Sequence, residues 1–238
     1  VAHLSSRAKG AIWAVNKNVG DQVKQGDVLA LVDAAEVGQL KSQLLKAKTQ
    51  LDLATKTFQR FSKLGGDIIP EQKIQEAKAA QSDSEFQLES TVQALANLGL
   101  LIDFDTIVGQ PLTAVRANLR LLGIPTEIAE SLDASRTSTN LIPVVSPRDG
   151  VVVMRNAVAG EVVETGKSLF TVANTKQMWL LLNVRLEEAE RVTLGQKIVF
   201  HPDGSQRKAT GNVTWISTEV DSETRTVRVR GELANVNG

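Results

Sequence analysis

The chain has 238 residues, 42% apolar and 23% charged, the composition of one or two globular domains with a sizeable core. Its 27 basic and 27 acidic side chains cancel, which argues against a nucleic-acid binder, because such a protein needs a basic surface to displace phosphate counterions. The absence of cysteine excludes disulfides, thiolate metal sites and cysteine nucleophiles.

From residue 10 the chain sets short β-prone runs among glycines. Gly10 precedes AIWAV (11–15), Gly20 and Gly26 flank Val23, and VLALV (28–32) follows. Apolar and polar residues alternating around glycine read as short strands joined by tight turns. The glycines then mark backbone positions of positive φ, or close approach of another strand.

At Val37 the pattern changes. Apolar residues fall at Val37, Leu40, Leu44, Ala47, Leu51, Ala54, Phe58 and Phe61, in unbroken steps of three and four. That is a heptad seam, and it favours a coiled coil. Asp33 is the expected N-cap. The paired glycine of GGD (65–67) is the expected stop, and thirty helical residues reach about 45 Å. Pro70 opens a second helix from a first-turn position, with Glu71 and Glu76 near its positive end. This helix runs to Leu98 on a thinner seam of Ile74, Ala77, Gln81, Ser84, Leu88, Thr91, Leu95 and Leu98. Matched lengths and a short connection predict an antiparallel hairpin with its tip at 62–70, part of whose surface is covered by other copies or partners. The plainer alternative is a helical domain closed on its own core. PLTAVRANLRLLG (111–123) predicts a further helix ended by Gly123, IPTEIAESL (124–132) a short capped one, and DASRTSTNLI (133–142) a polar loop.

The glycine pattern then returns. Gly150, Gly160, Gly166 and Leu169 repeat the spacings of Gly10, Gly20, Gly26 and Leu29, namely ten, six and three, and Val163 stands where Val23 does. A unit of about 25 residues is too small to bury a two-sided core alone. The two copies are therefore expected to pack on each other, with pseudo-twofold symmetry, as one small β-sandwich. Two unrelated hairpins sharing turn chemistry are the alternative, and the joint agreement of spacings and flanking hydrophobics argues against it.

After Ala173, QMWLLLNV (177–184), GQKIVFHP (195–202), GNVTWI (211–216) and TRTVRVRGEL (224–233) read as strands, and LEEAERV (186–192) as a short helix. Val227 and Val229 alternate with Thr226, Arg228 and Arg230, so that strand is half-buried. Four or five strands with one helix fit a small β-barrel, which either stays incomplete at Gly238 or recruits residues 1–7.

The patterns GDxVxxGDxL in the first copy and DGVV…GExVxxGxxLF in the second resemble the biotinyl/lipoyl domain family. That family carries a modifiable Lys between its halves, where this chain reads VDAAEV (32–37) with no Lys. Lys167 lies elsewhere and reads as a surface residue, so a lipoyl or biotinyl carrier function is disfavoured. Sandwich half, helical hairpin, sandwich half and β-barrel is the order found in periplasmic adaptor proteins (membrane fusion proteins, HlyD-like). The resemblance covers nearly the whole chain and is strongest in SPRDGVVVMRNAVAGEVVETGKSLFTVANTKQMWLLLNV and ISTEVDSETRTVRVRGELAN. With LRLLGIP ahead of the second half, it is greatest to the heavy-metal branch of resistance-nodulation-division efflux.

The resemblance implies an elongated, multidomain α+β chain. Residues 8–34 and 143–174 form a lipoyl-like β-sandwich, 35–142 the α-helical coiled-coil hairpin with extra short helices, and 175–238 the β-barrel. It also implies a periplasmic protein anchored to the inner membrane, which bridges an inner-membrane transporter and an outer-membrane TolC-type channel as a hexamer and serves heavy-metal cation export. Drug efflux or ABC-type secretion is the alternative task. The family's hairpin tip carries an Arg, then a Leu, then a Ser that dock with the channel. Arg60 and Leu64 fit, whereas Pro70 occupies the Ser position, one residue early, and supplies no hydroxyl. The plainer readings are a solvated helix-end cation for Arg60 and a helix-terminal staple for Leu64.

Other chemistry finds little support. His3, His201, Met154 and Met178 are scattered, whereas a metal site needs several convergent ligands. No metal, cofactor or catalytic residue is therefore assigned. With two isolated histidines a nucleophile–base pair is poorly supported, and Glu187 and Glu188 read as a solvated helix face. No apolar run approaches the roughly 18–20 residues that span a bilayer, and no signal-peptide pattern opens the chain. Because Val1 rather than Met comes first, the sequence reads as trimmed, which leaves a leader, an anchor or a terminal metal site open.

Overall fold

A computed structural model describes residues 1–65, 68–132, 137–201 and 208–235. The chain divides into two compact units, 1–172 and 173–238.

The first unit is built on an interlocked sandwich. Its strands are β1 (Ala2–Ser5), β2 (Gly10–Val15), β3 (Gln22–Val23), β4 (Val28–Asp33), β5 (Leu141–Val145), β6 (Gly150–Arg155), β7 (Val162–Val163) and β8 (Ser168–Ala173). They form two antiparallel sheets, ordered β1-β8-β6-β3 and β5-β4-β2-β7. Each sheet mixes strands from both glycine-marked copies. Gly10 pairs with Val163 in one sheet, and Val23 with Gly150 in the other, the same pairing seen from either copy. The turns repeat it: the Gly20 N–H donates to Val152 O and the Gly160 N–H to Ile12 O, both at 2.8 Å. Neither copy completes a sheet without the other, which is why the two segments, far apart in sequence, share one core containing Ile12, Val23, Leu29, Val152, Val163, Leu169 and Phe170.

The glycines serve two different needs. Gly20, Gly26, Gly160 and Gly166 have φ between 86° and 94°, where a Cβ is unfavourable, and open space around them. Gly10 is different: a Cβ there would collide with the Asp33 carbonyl oxygen on the neighbouring strand. Gly150 opens β6 opposite Val23.

Between β4 and β5 lie α1 (Ala35–Leu64), α2 (Glu71–Asn97), α3 (Phe104–Gly109), α4 (Leu112–Arg120) and α5 (Thr126–Ser131). The pair α1–α2 forms the hairpin. Val37, Leu44, Ala47 and Leu51 of α1 are buried, as are Ala77, Leu88, Thr91 and Leu95 of α2. Leu40 and Leu98 at the base are half-buried, and so are Ala54, Phe58, Phe61, Ile74, Gln81 and Ser84 in the half toward the free end, where cover thins. At the base, Ile107 of α3 and Val115 and Leu119 of α4 join the same core. Ile124, Ile128 and Leu132 cover Val28, Leu31 and Leu141 on the outer face of the β4–β5 pair, which accounts for the wholly apolar VLALV run: β4 is buried on both faces.

Several local expectations are corrected. Asp33 is not the N-cap of α1; Ala34 occupies that place without a side-chain bond, because Asp33 ends β4 and pairs with Ala11 and Leu141. Pro70 is the N-cap of α2 rather than its first residue. Pro125 stands at the N-cap of α5 with no side-chain bond. α4 ends at Arg120, and Gly123 follows with φ of 81°. The stretch read as loop (133–142) ends in strand residues Leu141 and Ile142; residues 133–136 of it, and 66–67 of the hairpin tip, lie outside the described residues. Residues 1–7 do not serve the barrel: β1 pairs with β8, so this segment belongs to the sandwich. Helix α3 was not anticipated; its signal was Asp103, whose carboxylate accepts from the Thr106 amide at 2.9 Å and hydroxyl at 2.7 Å.

The second unit contains β9 (Gln177–Arg185), the single-turn α6 (Leu186–Ala189), β10 (Lys197–Phe200), β11 (Ala209–Asp221) and β12 (Thr226–Ala234). Among the described residues these four strands make one antiparallel sheet, ordered β10-β11-β12-β9. Val213, Val227, Val229 and Leu233 are buried, whereas Thr226 and Arg230 are half-buried and Arg228 exposed. Strand β11 is much longer than the GNVTWI run announced. It runs on through polar residues to Asp221, whose carboxylate accepts from the Glu223 and Thr224 amides and shapes the turn into β12.

Candidate functional site

The hairpin presents its free end on the last turn of α1 and the first of α2. Arg60 and Leu64 are exposed there, and the Arg60 guanidinium lies 5.4 Å from the Phe61 ring centroid. Lys56, Gln59, Arg60, Lys63 and Leu64 line a shallow cleft of about 360 Å³, so three cations and one leucine border it and, among the described residues, no carboxylate does. Ile68 is 69% exposed and Pro70 is exposed beside it. An apolar residue as exposed as Ile68 beside a basic helix end is a surface suited to a partner with an apolar notch and an acidic rim.

The base of the hairpin holds two features that periodicity did not reveal. Lys41 and Lys48 are buried on α1, seven residues apart, on a stripe beside the seam. Lys41 Nζ donates to Thr139 O at 2.7 Å and to Arg120 O, the last carbonyl of α4, at 3.4 Å. Lys48 Nζ donates to Val108 O in the last turn of α3 at 3.1 Å and pairs with Asp52 at 2.5 Å. Each ammonium thus satisfies a carbonyl at the negative end of a short helix, a favourable place for a cation. Lys48 has a carboxylate partner and Lys41 has none among the described residues. Burial pushes the Lys41 ammonium down to about 8.

The remaining sequence candidates lie on different elements of the two units. His3 sits on β1 with Nδ1 3.2 Å from Thr171 Oγ1, and Met154 is exposed on β6. In the second unit Met178 lies on β9 and His201 follows β10. Among the described residues no three of His, Asp and Glu gather as metal ligands, and no helix is long and apolar enough to cross a membrane. Glu187 and Glu188 are exposed on α6, and Lys167 pairs with Glu161 at 2.7 Å on the surface.

Comparison with known proteins accounts for this combination of split sandwich and inserted hairpin. Residues 1–174 match the family model of the CzcB-like barrel-sandwich hybrid domain. The chain belongs to the CzcB-like family. Residues 177–238 match the CusB-like β-barrel domain. Among curated relatives, the cobalt-zinc-cadmium resistance protein CzcB of Cupriavidus metallidurans is 27% identical over 235 residues, covering 98% of this chain and 39% of the relative. The nickel and cobalt resistance protein CnrB of the same organism is 26% identical over 236 residues, covering 99% and 49%. This CzcB-like chain therefore spans less than half the length of these relatives. Among solved structures, ZneB from Cupriavidus metallidurans is 25% identical, with a TM-score of 0.58 over 100% of this chain and 86% of that one. A MacA-MexA chimera carrying the Pseudomonas aeruginosa MexA α-hairpin, at 16% identity, shares the fold with a TM-score of 0.63 over 99% of this chain and 70% of the chimera.

Proposed function

We propose that the protein is the periplasmic adaptor of a tripartite heavy-metal efflux pump of the resistance-nodulation-division type. It bridges an inner-membrane transporter and an outer-membrane channel of the TolC type, and it acts by architecture rather than by catalysis. The observation that carries this reading is the helical hairpin set between two interlocked sandwich halves: α1 and α2 leave β4 and return to β5, neighbours in one sheet, so the hairpin base is fixed by the sandwich ladder. Relatives named for cobalt, zinc, cadmium and nickel resistance support cations as the exported substrate. The basic, leucine-bearing end at Lys56, Arg60, Lys63 and Leu64 is the contact for the channel, with Pro70 shaping the entry into α2 in place of a docking hydroxyl. Copies of the protein assemble as a hexamer, anchored to the inner membrane through parts of the full-length protein.

The test is cation tolerance in the native host. Loss of the gene lowers tolerance to cobalt, zinc or cadmium. The full-length protein restores it, and the doubly substituted Arg60→Glu, Leu64→Asp protein, present at equal level in the periplasm, does not. Unchanged cation tolerance on loss of the gene, with a fall in tolerance to organic compounds instead, overturns the substrate assignment. Full rescue by the double variant overturns the tip assignment.

A further inference from the structure

A groove at the hairpin base has no part in the adaptor reading. Its walls are α1, through Gly38, Lys41 and Leu45, and α4, through Arg116, Ala117 and Leu119. Thr139 closes one end, and Ser42, Thr113 and Arg120 complete the lining. The volume is about 440 Å³, inside the range of small-molecule sites. Leu45, Ala117 and Leu119 give it an apolar strip, every charged residue in it is a cation, and no carboxylate lines it among the described residues.

Lys41 makes the groove unusual. It is 4% exposed, and two of its three N–H donors reach Thr139 O and Arg120 O. The third has no acceptor among the described residues. Arg116, exposed on α4, has no carboxylate partner among the described residues. A buried cation without an anion is costly, and the usual remedy is a paired carboxylate, which Lys48 has in Asp52 and Lys41 lacks. What the described residues leave unsupplied beside Lys41 is therefore one negative charge, carried on a body that can lie along Leu45, Ala117 and Leu119.

We propose that this groove binds a small organic carboxylate with an apolar tail, its carboxylate accepting from Lys41 with Arg116 near the rim and its tail lying along Leu45, Ala117 and Leu119. The groove is too small for the paired acyl chains of a phospholipid, so the ligand is a free fatty-acid-like carboxylate rather than a membrane surface. A carboxylate beside Lys41 restores the proton that burial weakens, so binding at pH 8 is accompanied by proton uptake.

Calorimetric titration of the chain with octanoate at pH 8, in two buffers of different ionisation enthalpy, tests this. One octanoate per chain is expected, with a heat that differs between the buffers in the sense of proton uptake. Octanol, octylammonium and acetate bind at least tenfold more weakly. Lys41→Met weakens octanoate binding at least tenfold and abolishes the buffer dependence. Ala117→Trp, on the exposed side of α4, fills the groove and weakens binding at least tenfold while helical circular dichroism is unchanged, so the test survives if Lys41→Met fails to fold. No saturable heat with octanoate, equal binding of octanol, or full binding by Ala117→Trp overturns the proposal. Lys41-dependent co-sedimentation with phosphatidylglycerol vesicles, in the absence of octanoate binding, overturns the choice of ligand.

Discussion

Lys41 makes stability depend on pH in an uncommon direction. Its ammonium is buried against the Thr139 and Arg120 carbonyls with no counter-anion among the described residues, and burial lowers it from 10.5 to about 8. Below pH 8 both the folded and unfolded chains hold the proton, and the fold carries the whole cost of the buried charge. Between about pH 8 and 10.5 the fold releases the proton while the unfolded chain keeps it. The unfolded state then binds more protons, so stability rises with pH across that window. Each pH unit of displacement is worth about 1.4 kcal/mol, so the full recovery is about 3 kcal/mol, and about 2 kcal/mol of it is present by pH 9.5. The chain has no tyrosine and no cysteine to add to the titration in that window, and Lys41→Met is the control for its other lysines. The assay is urea unfolding followed by far-ultraviolet circular dichroism, which reports the first unit because helices α1 to α5 lie in it. Stability of that unit rises by about 2 kcal/mol from pH 7 to 9.5, and Lys41→Met removes the rise. A flat profile, or a slope that survives in Lys41→Met, refutes the assignment of a buried, weakened lysine.

The two kinds of glycine separate on substitution. Gly20→Ala meets open space and costs about 1 kcal/mol for its left-handed backbone, while Gly10→Ala strikes the Asp33 carbonyl and costs about 3 kcal/mol, measured by thermal unfolding. Leu88→Ala, at a fully buried seam position, costs about 3 kcal/mol, whereas Leu53→Ala on the exposed face of α1 stays within about 0.5 kcal/mol. Equal losses at either pair of positions would mean that the burial described for the hairpin or the sandwich is wrong.

What the sequence disclosed and what it hid follow from how far each signal reaches. The turn glycines and the seam were legible because they are local. A positive φ favours glycine at turn positions 20, 26, 160 and 166, and a 3-4 step survives any arrangement of partners. All sixteen positions of the α1 and α2 seams are buried or half-buried. The hidden parts depend on non-local contact. Ala2–Ser5 has no strand pattern of its own and becomes β1 because β8 offers an open edge. Lys41 and Lys48 sit on the stripe beside the seam, where lysine ordinarily reads as solvent-facing. They are buried because α3 and α4 lie across that stripe and offer carbonyls to the ammonium groups, while their aliphatic stems pack. The groove at Lys41 was therefore invisible to periodicity, although Arg116 and Leu119 stood on a predicted helix. The tip was legible as a place through Arg60 and Leu64, but the cluster with Lys56 and Lys63 needed helix geometry, because all four residues fall within two and a half turns.

The most direct test of the adaptor account is site-specific photo-cross-linking in living cells with the full-length protein. A photoreactive residue at Leu64 is predicted to give an adduct with an outer-membrane channel, and one at Leu53, midway along α1, is predicted not to. Leu64 adducts confined to the inner-membrane transporter, or no adduct at Leu64 in cells that export the cation, would contradict the bridging role.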